Sequence, residues 1–507
     1  MSSVTSIKAK RSKPINVDSG DLHTVVDECE KVLAQHNCYS MGGSIAVVLR
    51  NEKDGSIVCA NANAPVLTYM LSKFGRFERT KADGQKVKVD PPGRHVAALA
   101  GLLEHRYLPV LYNVASQPYL RSDGSICKTS GYDESTGIYC EFNQDNFPIP
   151  ESPSKADAAQ ALMRLSDLLE GFEFRESCDK SAAIAALLTA STRVSFPTAP
   201  LYLVTAFLPG SGKSYLCEIT TIVASDREPT ILTFSSSPDE FEKRQIAALI
   251  AAPSFMLYDN LTCDVLAHPS LCTALTSPAI TGRKLGESKT VTPSTRVMMA
   301  ANGNNVAAVD DSARRTFISR LEPSRDDPQN RRFQSDPKAL LKKHRGKYVA
   351  DCLTIMSAYI AADKPSVDVP PVAGFDAWAT HCRNPLVWLG MSDPCQTMIA
   401  SSRDNPRQRL SSAIIDSLHE HFQARPFTVR KILDEANAEL NDLLLDAASD
   451  DGKEVNKQKL GHWLRNKVGH SGTDARLVSF ESKRVASWLI ESTANDADVY
   501  QSQSRAG

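Results

Sequence analysis

The stretch from Leu201 to Leu216 constrains the fold more than any other part of the chain. Its first five residues are apolar or β-favouring and predict a buried strand, and a helical pattern resumes at Tyr215. Between them lies a loop with two glycines, followed by a lysine and a serine. This order predicts a loop that binds phosphate through its backbone N–H groups and through the N-terminus of the next helix.

The same loop supplies the candidate ligands for ATP and magnesium. We expect Lys213 to reach the β- and γ-phosphates, and Ser214 to place its hydroxyl on Mg²⁺. The other predicted ATP contacts are Pro209, Gly210, Ser211, Gly212 and Tyr215. Phe207 departs from the pattern, because the usual spacing of a phosphate loop has glycine at that position.

A second apolar run ends at Asp259, which we expect to hold the same Mg²⁺. The next residue, Asn260, is also assigned to the catalytic site, but an amide cannot accept a proton at neutral pH. The nearest candidates for a catalytic base are Glu240 and Glu242, at the start of the preceding helix. Both are equally explained as first-turn acids that favour the helix dipole.

Polar residues follow the next two predicted strands. The strand Arg296–Ala301 leads into an Asn-Gly-Asn-Asn cluster, where Asn304 is expected to sense the γ-phosphate or the attacking water. Ordinary turn chemistry explains such a cluster as well. Arg314 and Arg315 precede the last strand, and an arginine there would reach the nucleotide of a neighbouring subunit. The alternative for these arginines is a surface ion pair.

A basic segment lies between the Asp259 and Asn304 strands. Glycines and alternating Thr and Val in residues 280–291 suggest a β-hairpin, with Arg283, Lys284 and Lys289 near its tip. These side chains would contact DNA phosphates without reading sequence. A solvated basic loop is the alternative.

Composition excludes several classes of protein. The net charge is −1 over 507 residues, so any nucleic-acid surface must be local. The 12 cysteines form no CxxC pair, which argues against a zinc cluster or disulfide framework and favours a reducing, cytoplasmic location. No apolar run approaches the roughly 18 residues of a membrane span, so we expect no membrane contact.

The domain pattern is α/β. We expect a disordered basic tail over residues 1–20, a mixed α/β accessory domain over 21–150, and an ATPase domain with a helical collar and lid over 155–365. In the accessory domain we interpret Val66–Phe74 as strand or short mixed elements. Alternating strands and helices after Leu201 predict a parallel sheet with helices on both faces.

The C-terminal region, residues 400–491, predicts a winged helix-turn-helix, followed by a disordered tail over 492–507. Two helices, a basic helix and a hairpin follow one another in this region. On the DNA side of the basic helix we place Lys457, Lys459, Arg465 and Lys467. A winged helix used only for protein contact remains the alternative.

Together, residues 156–323 resemble superfamily 3 helicases, the AAA+ class of viruses, phages, plasmids and integrated mobile elements. The resemblance rests on PGSGKS, DEFEKR, MLYDN, the hairpin, NGNN and DSARRTFISRLEP. Helicases of bacterial prophage or satellite elements are more narrowly similar, and the segment 119–139 resembles one found upstream of their ATPase domain. The resemblance implies an AAA+ core, a homo-hexameric ring that hydrolyses ATP and moves on DNA, and sensor and finger roles for Asn304, Arg314 and Arg315.

Three functions stay open on the sequence alone. The first is an ATP-dependent DNA helicase in replication of a mobile element, with a single strand or fork in its channel, duplex at the winged helix, and host replication proteins as partners. The second is an ATP-switched origin-binding initiator or loader that unwinds little. The third is a non-replicative AAA+ regulatory ATPase. The absence of an acid after Asp259 keeps the last two open.

Overall fold

A computed structural model of the chain describes nine stretches of sequence. They are residues 13–18, 21–51, 57–102, 104–284, 290–324, 336–403, 406–449, 453–480 and 486–492. The predicted disordered tails lie outside these stretches, except for residues 13–18 and Ser492. The chain forms two compact units, Met1–Met398 and Ile399–Gly507, and each is described by itself.

The first unit begins with short strands and three helices. They are β1 (Ile15–Asn16), α1 (Leu22–Ala34), β2 (Cys38–Met41), β3 (Ser44–Arg50), β4 (Ile57–Asn61), α2 (Ala64–Phe74), β5 (Phe77–Thr80), β6 (Lys86–Val89), α3 (Gly93–Gly101), β7 (Asn113–Ala115), β8 (Tyr119–Leu120), β9 (Ile126–Cys127), β10 (Gly131–Asp133) and β11 (Ile138–Cys140). These strands form four small sheets, with strand orders β1-β5-β6, β2-β3-β4, β10-β11-β7 and β8-β9.

Two predictions for this region are wrong. Ile15 and Val17, inside the predicted disordered tail, are buried, and β1 pairs with β5. The segment interpreted as strand or mixed structure is the helix α2, because the Asn63 side chain caps the Val66 N–H and a proline stands in the first turn. Apolar residues at helical spacing then bury one face of α2, namely Leu67, Met70 and Leu71.

The rest of the first unit alternates strands and helices. Its elements are α4 (Lys155–Leu168), α5 (Ser177–Thr192), β12 (Leu201–Ala206), α6 (Lys213–Ala224), β13 (Thr230–Leu232), α7 (Pro238–Ile250), β14 (Phe255–Leu261), α8 (Pro269–Thr276), β15 (Gly282–Arg283), β16 (Thr290–Val291), β17 (Met298–Asn304), β18 (Thr316–Leu321), α9 (Pro337–Ala361), α10 (Asp376–Trp378) and α11 (Asn384–Trp388). A π-helical turn, Ala379–Arg383, joins α10 to α11. The helix α12 (Gln396–Arg403) begins just before the boundary between the units.

The predicted parallel sheet is confirmed. It has five strands in the order β13-β14-β17-β12-β18, and every neighbouring pair is parallel. The strand that leads to the Lys213 loop, β12, and the strand that carries Asp259, β14, are not neighbours, because β17 lies between them. The sheet centre is apolar, with Leu201–Val204 fully buried, and α5 is buried nearly all round, as an Ala-rich helix without a polar face requires.

The second unit is a helical domain with one hairpin. After α12 it contains α13 (Pro406–Phe422), α14 (Val429–Glu435), α15 (Ala438–Ala448), α16 (Lys457–Lys467), β19 (Ala475–Phe480) and β20 (Ser487–Ser492). The strands β19 and β20 pair antiparallel, and Phe427 exchanges two backbone hydrogen bonds with Trp488. Ile432, Leu460 and Leu464 lie in one core beneath the hairpin. Among the described helices of the whole chain, none is both long and apolar enough to cross a membrane.

Candidate functional site

The predicted phosphate loop joins β12 to α6. Gly210 and Gly212 adopt φ values of 75° and 90°, in the left-handed region that glycine enters without strain. Gly212 is the N-cap of α6, so the loop ends where the first free N–H groups of the helix begin. Phe207, in place of the usual glycine, is 65% exposed and does not fill the loop. A strand, a glycine turn and a helix N-terminus form an anion-binding geometry.

Lys213 is the first residue of α6 and is buried. Burial lowers the pKa of its ammonium group. Nζ donates to the carbonyl of Leu208 over 3.3 Å, at the long end of the hydrogen-bond range. Because this buried ammonium group has only a weak hydrogen-bond partner, an anion bound in the loop would stabilise its positive charge.

Asp259 lies at the end of β14, and a buried amide from the neighbouring strand holds it. The Nδ2 atom of Asn302 donates to Asp259 Oδ1 over 2.8 Å, and Asn302 Oδ1 accepts the backbone N–H of Asn260 over 2.8 Å. Asn302 is almost fully buried in β17. This strand lies between β14, which carries Asp259, and β12, which leads into the Lys213 loop. One carboxamide therefore fixes both the carboxylate and the chain that follows it. The sequence analysis missed this residue.

Asn260 has a conformational reason to be asparagine. Its φ is 52°, and the pairing of β14 with β17 shifts register between Tyr258 and Leu261. Asparagine tolerates the left-handed region better than glutamate does. The backbone at this position therefore accounts for the missing acid, and the Asn260 side chain is exposed.

The predicted sensor, Asn304, and the predicted base, Glu240, both lie at exposed positions. Asn304 is the last residue of β17 and is exposed, although strand alternation puts it on the same face as Asn302. Its neighbour Asn305 donates its N–H to the carbonyl of Ala206 at the end of β12. Glu240 is half-exposed on α7 and pairs with Lys243 at 3.3 Å and Arg244 at 3.6 Å. These contacts fit the first-turn interpretation of Glu240.

The donors fit a hard divalent cation. Ser214 and Asp259 line the same cleft, of about 490 Å³, which offers a hydroxyl and a carboxylate. Oxygen ligands of this kind suit Mg²⁺, which usually takes one or two protein groups and completes its shell with phosphate and water. The basic residues Lys338, Lys342 and Arg345 from α9 also line this cleft.

Both candidate arginine fingers are held by one aspartate. Asp311 forms ion pairs with Arg314 and Arg315 in the 3-10 turn Asp310–Arg315 that precedes β18. Burial alone would raise the pKa of Asp311, but the hydrogen bonds from the two arginines lower it overall. The Arg314 side chain is 55% exposed and that of Arg315 only 11%, so Arg314 is the better placed to contact a second molecule.

The predicted hairpin is present. Gly282 pairs with Val291, and Arg283 with Thr290, in an antiparallel ladder of two residue pairs. Arg283 is exposed and Lys284 half-buried, whereas Lys289 lies outside the described residues.

The accessory region contacts the base of this hairpin. The N–H of Thr292 donates to the carbonyl of Gly42, in the turn between β2 and β3, over 3.2 Å. A Cβ atom on Gly42 would lie 2.9 Å from the Thr292 carbonyl oxygen, closer than real side chains approach. Gly42 therefore allows the two backbones to meet.

The four basic residues predicted to bind DNA on α16 do not share one face. Lys457 and Lys467 are each seven residues from a buried leucine of the same helix, but Lys457, at the helix start, is exposed and Lys467 is half-buried. Lys459 and Arg465 are also exposed, and Lys459 Nζ donates to the Ser449 carbonyl over 3.1 Å. Three of the four side chains are therefore exposed, and their contact with DNA stays a prediction.

The fold and site define a class: a parallel α/β domain with a phosphate-loop geometry at the carboxyl edge of its sheet. Among solved structures, the chain is similar to an apo form of the NrS-1 C-terminal region, with 9% identity, a TM-score of 0.35, and coverage of 88% of this chain and 96% of that one. Two structures of JCV helicase are similar with 11% and 10% identity and TM-scores of 0.22, and they cover 50% and 51% of this chain and 75% and 71% of theirs. No family model and no curated protein sequence matches the chain.

Proposed function

We propose that this protein is an ATP-dependent DNA helicase with an AAA+ P-loop core. The observation that carries the proposal is the buried amide of Asn302, on the strand β17 between β14 and β12, which donates a hydrogen bond to Asp259. A partly buried carboxylate held in this way, together with a buried lysine and an exposed serine hydroxyl, suits Mg²⁺ and a triphosphate. Its role in the replication of a mobile element and its assembly as a homo-hexameric ring rest on the sequence resemblance. Its cytoplasmic location rests on the cysteine pattern.

The chain's own residues have distinct tasks in this proposal. Lys213 binds the β- and γ-phosphates, and Ser214 and Asp259 hold the cation. Bound Mg²⁺ would offset the negative charge of the phosphate oxygens. Asn302 orients Asp259 and does not itself touch the nucleotide. Arg314 leaves Asp311 to contact the nucleotide of the adjacent subunit, which requires an assembled ring.

DNA has two places in the proposal. Arg283 and Lys284 contact a single strand or fork in the ring channel, and Lys459 and Arg465 contact duplex at a C-terminal winged helix. The described order of α14, α15, α16 and the β19–β20 hairpin supports the winged-helix assignment. Host replication proteins are further proposed partners.

Replacing Lys213 tests the enzyme. Lys213→Ala should lower DNA-stimulated ATP hydrolysis by at least ~100-fold, since the loss of one charge-assisted contact to the reacting phosphates costs about 3 kcal/mol. The matched control is Lys243→Ala, which removes an exposed lysine paired with Glu240 on α7. Hydrolysis that survives in Lys213→Ala would contradict the proposal. Intact hydrolysis without strand displacement on forked DNA would contradict the helicase part alone.

The conformation of Asn260 favours a second candidate function, an ATP-switched initiator or loader with slow hydrolysis. The position after Asp259 is left-handed, so the chain cannot place a glutamate there without strain of roughly 1–2 kcal/mol. A helicase with another base should keep its turnover within ~2-fold in Asn260→Gly and gain nothing in Asn260→Glu. If wild-type hydrolysis is slow and Asn260→Glu accelerates it ~10-fold or more, the result would favour the ATP-switched initiator or loader. The comparison needs kcat and thermal unfolding of both variants.

A further inference from the structure

Two cysteines in the accessory region lie unusually close. The Sγ atoms of Cys127, in β9, and Cys140, in β11, are 3.8 Å apart, and both side chains are buried. The two strands belong to different sheets, β8-β9 and β10-β11-β7. The contact between the thiols therefore joins two elements that share no ladder of backbone hydrogen bonds.

The surroundings favour reaction at one of the two sulfurs. The hydrogen bond from Cys140 lowers the pKa of Cys127 to about 6, and Tyr119 and Arg121 act in the same direction. Arg121 is held in place by Asp133, with 2.7 Å between Nε and Oδ2. The same contact between the thiols raises the pKa of Cys140. Cys127 is thus the more acidic of the two thiols, and Cys140 is the less acidic thiol that faces it.

Backbone carbonyl oxygens lie close to both sulfurs. Cys140 Sγ lies 3.1 Å from the Thr129 carbonyl oxygen and 3.3 Å from that of Gly131, and Cys127 Sγ lies 3.7 Å from the Thr129 carbonyl oxygen. β8 and β9 pair over only two residue pairs, Tyr119 with Cys127 and Leu120 with Ile126. A small oxidant reaches the buried sulfurs only when this short hairpin opens locally, so the reaction proposed below includes such an opening.

We propose that Cys127 and Cys140 form a reversible intramolecular disulfide when the protein meets a hydroperoxide. The Cys127 thiolate attacks one peroxide oxygen, the O–O bond breaks, and Cys127 becomes a sulfenic acid while the leaving oxygen takes a proton. The Cys140 sulfur then attacks the Cys127 sulfur and expels the hydroxyl group, which leaves as water with the Cys140 proton. The two thiols lose two electrons and the hydroperoxide gains them.

The cross-link would fasten the β8–β9 hairpin to the neighbouring sheet. That hairpin lies against the end of α5, where the Leu120 N–H donates to Thr192 Oγ1 over 3.0 Å. A bond between residues 127 and 140 closes a short loop and restricts local opening of this contact. The modification is independent of nucleotide, so it stands or falls separately from the proposed helicase activity.

Mass spectrometry of the full-length protein tests the proposal. After treatment with hydrogen peroxide and alkylation, wild-type protein should yield a Cys127–Cys140 peptide that lacks two hydrogens and that a dithiol reductant restores. Cys140→Ser should show oxidised Cys127 without the cross-link, and Cys263→Ser, which changes a partly exposed cysteine, should keep it. The proposal is overturned when both cysteines of the wild type remain alkylatable while Cys263 is oxidised. It is equally overturned when wild-type Cys127 accumulates as sulfinic acid.

Discussion

The candidate nucleotide site and the basic hairpin are built in opposite ways. Asp259 is fixed by a buried amide from the adjacent strand, inside a sheet of five parallel strands. The described part of the hairpin, residues 282–284 and 290–291, has two residue pairs, and its base meets the accessory region at Gly42. The first site is set by strand order within one domain. The second depends on a contact between regions that are far apart in sequence.

This difference separates two kinds of sensitivity. Changes around Asn302 should impair ATP hydrolysis with or without DNA, since its hydrogen bonds lie within the sheet. Changes at the hairpin or at Gly42 should impair DNA binding while basal hydrolysis persists. The predictions below try to break that separation, beginning with the largest expected effect.

Asn302→Ala should reduce kcat for ATP by about 100-fold. The substitution removes the hydrogen bond to the Asp259 carboxylate and leaves the Asn260 N–H without its acceptor. The loss of two such hydrogen bonds amounts to about 3 kcal/mol. Steady-state hydrolysis with and without DNA measures the effect. The matched control is Asn304→Ala, two residues further along β17 at an exposed position, where we expect a loss of less than ~10-fold. If Asn304→Ala lowers kcat more than Asn302→Ala does, the result would support Asn304 as the sensor.

The sequence predicted the sheet well because apolar runs and glycine loops are local signals. β12, β14 and β17 were all anticipated, and Lys213, Ser214 and Asp259 lie at the ends of their elements as expected. Asn302 was missed because the order of strands in a sheet is not a local property. The signal available was alternation, since Asn302 and Asn304 share a face and only the first lies deep enough to reach Asp259.

Other errors have equally physical causes. The apolar run of α2 is short, so its pattern alone predicts strand or mixed structure. The capping Asn63 and the proline in the first turn are the sequence signals that indicate the start of a helix. Contacts between distant segments, such as that of Gly42 with Thr292, leave no pattern in a single sequence.

Gly42→Val should weaken DNA binding by roughly 10-fold and leave basal ATP hydrolysis within ~2-fold. Its Cβ would collide with the Thr292 backbone, so the base of the β15–β16 hairpin must shift. Gly84→Val is the control, because Gly84 is also left-handed, with φ of 80°, but has open space around it. Both variants carry the backbone strain of roughly 1–2 kcal/mol, and only the first carries the collision. Equal losses of DNA affinity in the two variants would remove the proposed support of the hairpin.

Arg283→Glu should have the smallest effect on the enzyme and the most specific one on DNA. Arg283 is exposed on β15, so its replacement should not unfold the protein. If Arg283 contacts one phosphate, the slope of log affinity against log salt concentration should fall by about 1, with equal weakening for different sequences. Binding of fluorescent single strands at several salt concentrations measures this slope, and Arg430→Glu, an exposed arginine of α14, is the charge-matched control. An unchanged slope would mean that the hairpin is a solvated loop, and would favour the regulatory ATPase over the helicase.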